Sequence, residues 1–341
     1  MQVQVLLPAP GWEVKTRSFF CGFLLIPKEE MRVERLSINV IIDQMIILFI
    51  LMCLGYFLFK VKLIDDEFNT RLTKFVLYVT MPALIVNSVL NQTSRDVREA
   101  LYVFLVAIVM FAVLPVVGWI LAKVMRIPKE QQGMYIFMTI FSNIGFMGFP
   151  IMDALYGEKA VFYTAIFNLI FCLLVFTVGD SIMSYGSGVR TKFDAKALRT
   201  PGVVASAVAI VIYFLNVSPP PIVCDTISMV GELTTTLSMI VMGATLAKME
   251  LKTVFNDKNS YLFAALKQLA LPLLLAPLLK RIIPNEYILS ITLIMLSMPV
   301  ASITVLLATE HGKDASLAAK NMFITTVVSM LTIPLILYLV F

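Results

Sequence analysis

The chain has 341 residues, of which 59% are hydrophobic and only 14% are charged, and its mean hydropathy is +0.90. Soluble domains usually carry about a quarter charged residues, so this composition excludes an ordinary soluble enzyme or binding domain and indicates a membrane protein. The formal net charge of +5 comes from basic residues that lie singly in loops, which argues against a nucleic-acid partner.

Residues 1–37 differ from the rest of the chain in their prolines and in the charged run that ends at Arg35. Their apolar run, Phe19–Ile26, is too short to cross a bilayer, which requires about 20 residues. A signal peptide is one interpretation, because Lys15 and Arg17 precede the apolar run. The other is an N-terminal tail added by an upstream start codon, with the protein itself beginning near Met31.

From residue 38 onward, apolar segments alternate with short charged loops, which predicts an all-α polytopic membrane protein with a single membrane domain over 38–341. Ten transmembrane helices are predicted. Their bounds are 38–59, 72–91, 100–122, 133–156, 160–184, 200–217, 222–247, 260–283, 287–309 and 315–340. Sixteen lysines and arginines lie in one set of alternate loops and five in the other, so we expect both termini outside a cell (inner or plasma) membrane.

An internal repeat is visible when the chain is shifted by 156 residues. Leu77 and Thr80 then align with Leu233 and Thr236, within two similar apolar segments. The repeat divides the domain into two halves, 38–184 and 200–341, with five spans each. Because five is an odd number, the second half must enter the membrane from the opposite side, which predicts the inverted repeat that is frequent among secondary transporters.

Spans four and nine carry helix-breaking residues at corresponding positions, since the offset places Asn143 on Pro299. Proline and glycine release backbone groups that lipid cannot satisfy, so we expect both helices to break where they line a protein-enclosed cavity. Each break exposes the N-terminus of a half-helix, which favours an anion. The predicted substrate-binding residues are Asn143, Gly145, Gly148, Pro150, Pro299 and Ser302. Asn143 either orients the substrate through its amide or caps the freed backbone.

Charged residues inside predicted spans are costly in lipid and are usually functional or paired. Glu232 in span seven and Lys267 in span eight, which is followed by Gln268, are the clearest examples. Both are candidates for coupling transport to protons, and a structural pair between helices is an equally good interpretation. Asp153 lies near a predicted span end, where we expect it to be solvated.

The sequence lacks the motifs that would indicate an enzyme or an ATP-driven pump. It contains no H-E-x-x-H motif, no G-x-S-x-G with a partnered histidine and no phosphate-binding loop. The four cysteines show no C-x-x-C spacing that would indicate a metal site. The sequence therefore predicts a protein that is not an enzyme, with no cofactor and no bound metal.

Several motifs occur in order along both halves. They are Tyr78–Ile85 in span two, Asn143–Pro150 followed by Leu155-Tyr156-Gly157 in span four, Leu233–Thr235 and Gly243-Ala244 in span seven, and Met298–Ala301 with Leu307–Asp314 in span nine. With these motifs, residues 38–341 resemble the auxin efflux carrier (AEC) family of permeases, which includes bacterial carriers linked to malate or malonate.

The resemblance implies a scaffold of spans 1, 2, 6 and 7 and a moving part of spans 3 to 5 and 8 to 10. Spans four and nine would cross at their breaks, with substrate beside Asn143, Pro150 and Pro299 and an elevator-like movement. It also implies a homodimer formed through the scaffold. Many relatives have proline where this chain has Thr236 and a neutral polar residue in place of Glu232, so no coupling mechanism is carried over.

Together these features predict a secondary active transporter of a small organic anion such as a carboxylate, embedded in the lipid bilayer. One alternative is a sodium- or proton-coupled symporter or antiporter with a similar inverted repeat. Such proteins usually carry several acidic residues near the crossover, and here spans four and nine contain only Asp153. The other alternative is a membrane receptor without transport activity. The sequence leaves the substrate, the direction of transport and the coupling ion open.

Overall fold

The computed structural model describes residues 38–90, 96–185, 200–215, 219–249 and 257–341. Within these ranges the regular secondary structure is helical, and an isolated β-bridge pairs Ser142 with Val300. The predicted all-α class is therefore confirmed. The predicted tail at 1–37 and most of the loop between the predicted halves, 186–199, lie outside the described residues.

Four of the junctions between the described α-helices are five-residue π-helical turns. The α-helices are α1 (Ile38–Lys60), α2 (Asp66–Phe75), α3 (Met81–Leu90), α4 (Val97–Val124), α5 (Lys129–Ile140), α6 (Phe149–Tyr156), α7 (Glu158–Leu174), α8 (Asp180–Met183), α9 (Pro201–Leu215), α10 (Pro221–Ala247), α11 (Lys258–Ala265), α12 (Leu271–Ile282), α13 (Glu286–Ser297), α14 (Ile303–Glu310) and α15 (Ala315–Val340). The π turns are Val76–Thr80, Ile144–Gly148, Val175–Gly179 and Leu266–Ala270.

Six helical stretches in the described ranges are long and apolar enough to cross a membrane, and there are seven if the bent pair in span five counts as one. The six are Val40–Lys60, Asp66–Leu90, Val97–Val124, Pro221–Ala247, Lys258–Ile282 and Ala315–Val340. Predicted spans four, six and nine contain shorter apolar helices: Ile144–Tyr156, Pro201–Leu215 and Glu286–Ser297. In spans four and nine the helices are short because each span is interrupted near its middle. The total of ten spans stays a prediction.

Three of these π turns end two residues before a proline, which is the second residue of the following α-helix. The prolines are Pro82, Pro150 and Pro272. Proline lacks the N–H of a helical hydrogen bond, and its ring crowds the carbonyl of the preceding turn. The wider π turn accommodates that carbonyl, so the helix continues through the proline. Such turns occur frequently at functional sites.

Glycines bring α1 and α10 into direct backbone contact. A Cβ atom at Gly55 would overlap the carbonyl group of Ile240, and one at Gly243 would overlap that of Met52. Small residues that permit such close approach are a usual basis of helix association in bilayers. Helix α10 also packs against α3, and α3 packs against α9. The helices of predicted spans 1, 2, 6 and 7 therefore form one connected group.

The helices of the remaining spans pack on one another within each half, and α7 also packs against α3 and α9 of the first group. Helix α4 packs along α5 and α7, and α15 packs against α11, α13 and α14. The π turn Ile144–Gly148 and α6 contact α10, while α6 also contacts α1. The second part of the interrupted span four therefore lies at the boundary between these helices and the first group.

Polar contacts join loops at one end of the helices. Glu99, at the start of α4, accepts hydrogen bonds from Lys159 Nζ (2.6 Å) and from Asn285 Nδ2 (3.2 Å). The first is also an ion pair. These residues come from the connections before predicted spans three, five and nine, so those three connections share one face.

A second set of contacts joins loops at the opposite ends of the same spans. Lys313 Nζ donates to the carbonyl oxygens of Glu130 (2.8 Å) and Tyr185 (3.3 Å). Lys248 forms an ion pair with Asp66 at 2.6 Å, which joins the connection after α1 to the end of α10. In each of these contacts, the loops that are joined belong to the same alternate set.

Candidate functional site

Both interrupted spans contain a short non-helical segment between two helical halves. In span four, α5 ends at Ile140 and the next helical residue is Ile144, which leaves residues 141–143 between them. In span nine, α13 ends at Ser297 and α14 begins at Ile303, which leaves the five residues 298–302. Each break presents the C-terminus of one half-helix and the N-terminus of the next.

The two breaks cross and hydrogen-bond to each other. The N–H of Asn143 donates to the carbonyl of Pro299 at 2.8 Å, and the N–H of Ala301 donates to the carbonyl of Phe141 at 3.2 Å. The two donors are 158 positions apart, and so are the two acceptors. At the crossover the halves therefore correspond at an offset of 158, not the predicted 156, because α5 and α13 already end 157 positions apart and the break in span nine is two residues longer.

Four half-helix ends meet at this crossover, and their partial charges differ in sign. A helix N-terminus carries about half a positive charge and a C-terminus about half a negative one. The N-termini belong to the helix Ile144–Tyr156 and to α14, and the C-termini belong to α5 and α13. The crossover therefore offers one environment suited to anions and another suited to cations.

Asn143 is buried beside the N-terminus of the second half of span four. Its Oδ1 accepts the N–H of Phe146 at 3.3 Å, so the side chain caps the freed backbone. Its Nδ2 is buried and has no hydrogen-bond partner among the described residues. The side-chain oxygen thus takes the predicted capping role, and the amide N–H groups remain free to donate to a substrate. Leaving a buried donor without a partner is costly.

Gly145, Gly148 and Pro150 lie within the helix Ile144–Tyr156, so the break precedes them. The expectation that these residues form the break is therefore wrong, because the π turn lets the helix continue through Pro150. Gly145 is open on one side: an added Cβ atom would find Met81 Cε of α3 at 3.6 Å as its nearest neighbour. At Gly148 the added atom would meet Ile144 Cγ2 at 3.3 Å.

Lys267 reaches the crossover from span eight and is completely buried. Its Nζ donates to the carbonyl oxygen of Met298 at 2.6 Å and to Ser142 Oγ at 3.0 Å. These two acceptors belong to different breaks, so one amino group joins both. Ion pairs in the described ranges do not include Lys267. An unpaired buried charge is costly, which marks this residue as a functional candidate.

Gln268 extends the same network. Its Nε2 donates to the carbonyl oxygens of Ser297 (3.2 Å) and Thr325 (2.8 Å), and Thr325 Oγ1 accepts the N–H of Val300 (3.1 Å). Gln268 and Lys267 are consecutive and both are fully buried, within the π turn Leu266–Ala270. Side chains of spans eight and ten thus form hydrogen bonds with the polar backbone groups that the break in span nine releases.

The remaining predicted residues occupy different places. Pro299 lies in the crossover itself and is buried, and Ser302 is partly exposed next to the N-terminus of α14. Glu232 is exposed on α10, where its carboxylate accepts a hydrogen bond from Ser228 of the same helix at 3.4 Å. The structure therefore brings Lys267 to the crossover, whereas the described contacts of Glu232 stay on its own helix.

Three residues of the site are not assigned to it by the sequence. Ser142 and Thr325 belong to the crossover network, and Asp153 on α6 accepts a hydrogen bond from Thr235 of α10 at 3.2 Å. Asp153 is partly buried, and the sequence does not predict its hydrogen bond to another helix. A signal for Thr325 exists in the spacing of Asn321, Thr325 and Ser329, which places polar residues on one face of an apolar helix.

Comparison with known proteins identifies similar chains. The family model described as membrane transport protein matches twice, at residues 40–193 and 187–337. An "Uncharacterized transporter" of Methanocaldococcus jannaschii is 24% identical over 302 residues, which cover 86% of this chain and 96% of that protein. A "Putative malonate transporter" of Rhizobium meliloti (strain 1021) is 26% identical over 306 residues, which cover 85% of this chain and 92% of that protein.

Proposed function

This chain belongs to the membrane transport protein family, and on that premise we propose that it is a secondary active transporter of a small organic anion such as a carboxylate. Family membership confirms the resemblance to auxin efflux carriers that the motifs indicate. The observation that carries the choice of an anion is the buried Lys267 amino group, which joins both breaks and forms no ion pair with a described carboxylate.

The charges at the crossover support an anionic substrate. Two half-helix N-termini contribute positive partial charge, and the Asn143 amide contributes a buried donor without a described partner. A carboxylate held between Asn143 Nδ2 and the N-terminus of α14 near Ser302 would use both features. The relative named "Putative malonate transporter" adds support for a dicarboxylate.

The proposed architecture is ten spans in two inverted repeats. The two matches of the family model meet at 187–193, close to the proposed boundary between the halves. The paired hydrogen bonds of the crossover and the consistent pairing of alternate loops also support this order. By the positive-inside rule the loop set that contains Lys313 and Lys248 faces the cytoplasm, which places both termini outside a cell (inner or plasma) membrane. The scaffold homodimer implied by the family resemblance stays a prediction.

We further propose that the group containing spans 3 to 5 and 8 to 10 moves against the group containing spans 1, 2, 6 and 7. The helix Ile144–Tyr156 lies at the boundary between these groups, and the hydrogen bond from Thr235 to Asp153 crosses it. An elevator-like movement would carry the crossover with its bound anion past α10 and would exchange this hydrogen bond for another.

A proton-coupled symporter or antiporter is the alternative that one observation favours. Asp153 is a partly buried carboxylate at the moving boundary, where protonation could accompany movement. Glu232, the carboxylate first considered for coupling, is exposed and makes its described hydrogen bond within α10. Coupling to protons would therefore act through Asp153 or Lys267 and would appear as uptake driven by an imposed pH gradient.

Uptake of radiolabelled malonate, malate and indole-acetate into proteoliposomes tests the proposed function. Saturable uptake of at least one carboxylate is expected, and the same assay with an imposed pH gradient shows whether protons are coupled. Malonamide, the neutral diamide of malonate, is the matched competitor and is expected not to inhibit. Folded protein that takes up none of the three anions would contradict the proposal.

Gly145→Ala is expected to reduce carboxylate uptake about tenfold while leaving the protein folded. The added Cβ atom meets no atom closer than Met81 Cε at 3.6 Å, so it fits sterically, and alanine favours a helix over glycine by about 1 kcal/mol. It would occupy the space beside the crossover that the substrate is proposed to use. Uptake kinetics together with the thermal unfolding temperature check this expectation, and unchanged uptake would place the substrate elsewhere.

A further inference from the structure

The Lys267 amino group lies in the part of the crossover that is suited to cations. One of its acceptors, the Met298 carbonyl, belongs to the residue that directly follows α13, at the C-terminal end of that half-helix. Its other acceptor, Ser142 Oγ, belongs to the break that follows α5. The ammonium therefore sits where two half-helices end and where their negative partial charges add.

Broken-helix transporters generally use this kind of position for a coupling ion. Released carbonyl groups and half-helix C-termini coordinate Na⁺ or a proton, while half-helix N-termini face an anionic substrate. In this chain the Lys267 amino group already contacts one such carbonyl, that of Met298, and the hydroxyl of Ser142. Its burial is complete, and the described residues supply no carboxylate that would hold it there for another reason.

We propose that Lys267 serves as a built-in cation that fills the position of a coupling Na⁺, so that anion transport by this protein does not require sodium. The inference rests on the proposed function, since it assigns the coupling behaviour of the same crossover. It also gives the lysine a definite part: the ammonium neutralises the two C-terminal ends and leaves the two N-terminal ends free to attract the substrate.

Shortening the side chain should recreate a cation site. Lys267→Ala leaves the Met298 carbonyl and the Ser142 hydroxyl facing a space of lysine size, and oxygen ligands with water suit a hard cation. Lys267→Met is the matched control, because its apolar side chain removes the charge while filling most of that space. Only the alanine variant should therefore accept a sodium ion.

The test is thermal unfolding of purified protein in sodium chloride and in choline chloride at equal ionic strength. We expect wild-type protein and Lys267→Met to unfold at the same temperature in both salts. Lys267→Ala should unfold several degrees higher in sodium chloride, because an ion that binds only the folded state stabilises it by mass action. Malonate uptake by wild-type proteoliposomes should be the same in either salt.

Two results would overturn the inference: a wild-type protein whose uptake or unfolding temperature rises specifically with sodium, or a folded Lys267→Ala protein that does not respond to it. If the alanine variant does not fold, the wild-type comparison still decides, since sodium independence supports the inference and sodium dependence overturns it. Failure of the proposed function looks different. Wild-type protein would then take up no carboxylate in either salt, while the sodium response of Lys267→Ala would still appear.

Discussion

Asn143→Asp is expected to lower carboxylate uptake at least tenfold while leaving the protein folded. The aspartate oxygen can still accept the N–H of Phe146, and a carboxylate is favourable at a helix N-terminus. The buried Nδ2 donor, however, is replaced by an acceptor that repels an anion. A hydrogen bond to a charged group contributes about 1.5–3 kcal/mol, which corresponds to roughly a 10- to 150-fold change in affinity.

Initial rates of malonate uptake measure the effect of Asn143→Asp on transport, and thermal unfolding temperatures show whether the variant is folded. Asn143→Ser is the matched control, because serine also caps a helix but has no amide and adds no charge. It should lose uptake to a smaller extent than Asn143→Asp. Wild-type uptake by a folded Asn143→Asp protein would show that Asn143 only caps the helix.

Gly243→Ala is expected to destabilise the protein and to lower its folded yield. The new Cβ atom would overlap the carbonyl oxygen of Met52 and approach Tyr56 N to 2.8 Å, so α1 and α10 would have to separate along their contact. Overpacking of this kind typically costs about 1–3 kcal/mol, and here the obstacle is backbone that cannot change rotamer. The loss outweighs the gain of about 1 kcal/mol in helix propensity.

The yield of monodisperse protein in detergent and its unfolding temperature measure the effect of Gly243→Ala. Gly145→Ala is the control, since the same substitution in another helix finds its nearest neighbour at 3.6 Å. A Gly243→Ala protein as stable as Gly145→Ala would contradict the close packing of α1 on α10.

The sequence predicts the two interruptions but not their positions. Asn143, Pro150 and Pro299 together indicate that spans four and nine break, and both do. Sequence alone cannot tell whether a proline ends a helix or follows a π turn that relieves its clash. The break in span four therefore lies seven residues before Pro150, whereas Pro299 lies inside the break of span nine.

Of the two charged residues that the sequence places in apolar segments, Lys267 is buried at the crossover and Glu232 is exposed. Hydropathy shows that a charge lies within a span but not which way it faces. Gly231 is buried against α3, so Glu232, one residue and about 100° further around the helix, is exposed. Lys267 faces inward, and its partners Ser142 and Met298 are distant in sequence, so no local pattern could reveal them.

Equilibrium binding of radiolabelled malonate to purified protein measures whether the crossover holds an anion site. We expect saturable binding by the wild type, at least tenfold weaker binding by Asn143→Asp and Lys267→Met, and no competition by malonamide. Malonate binding that is equally tight in all three folded proteins, or that malonamide displaces as well as malonate does, would contradict this expectation.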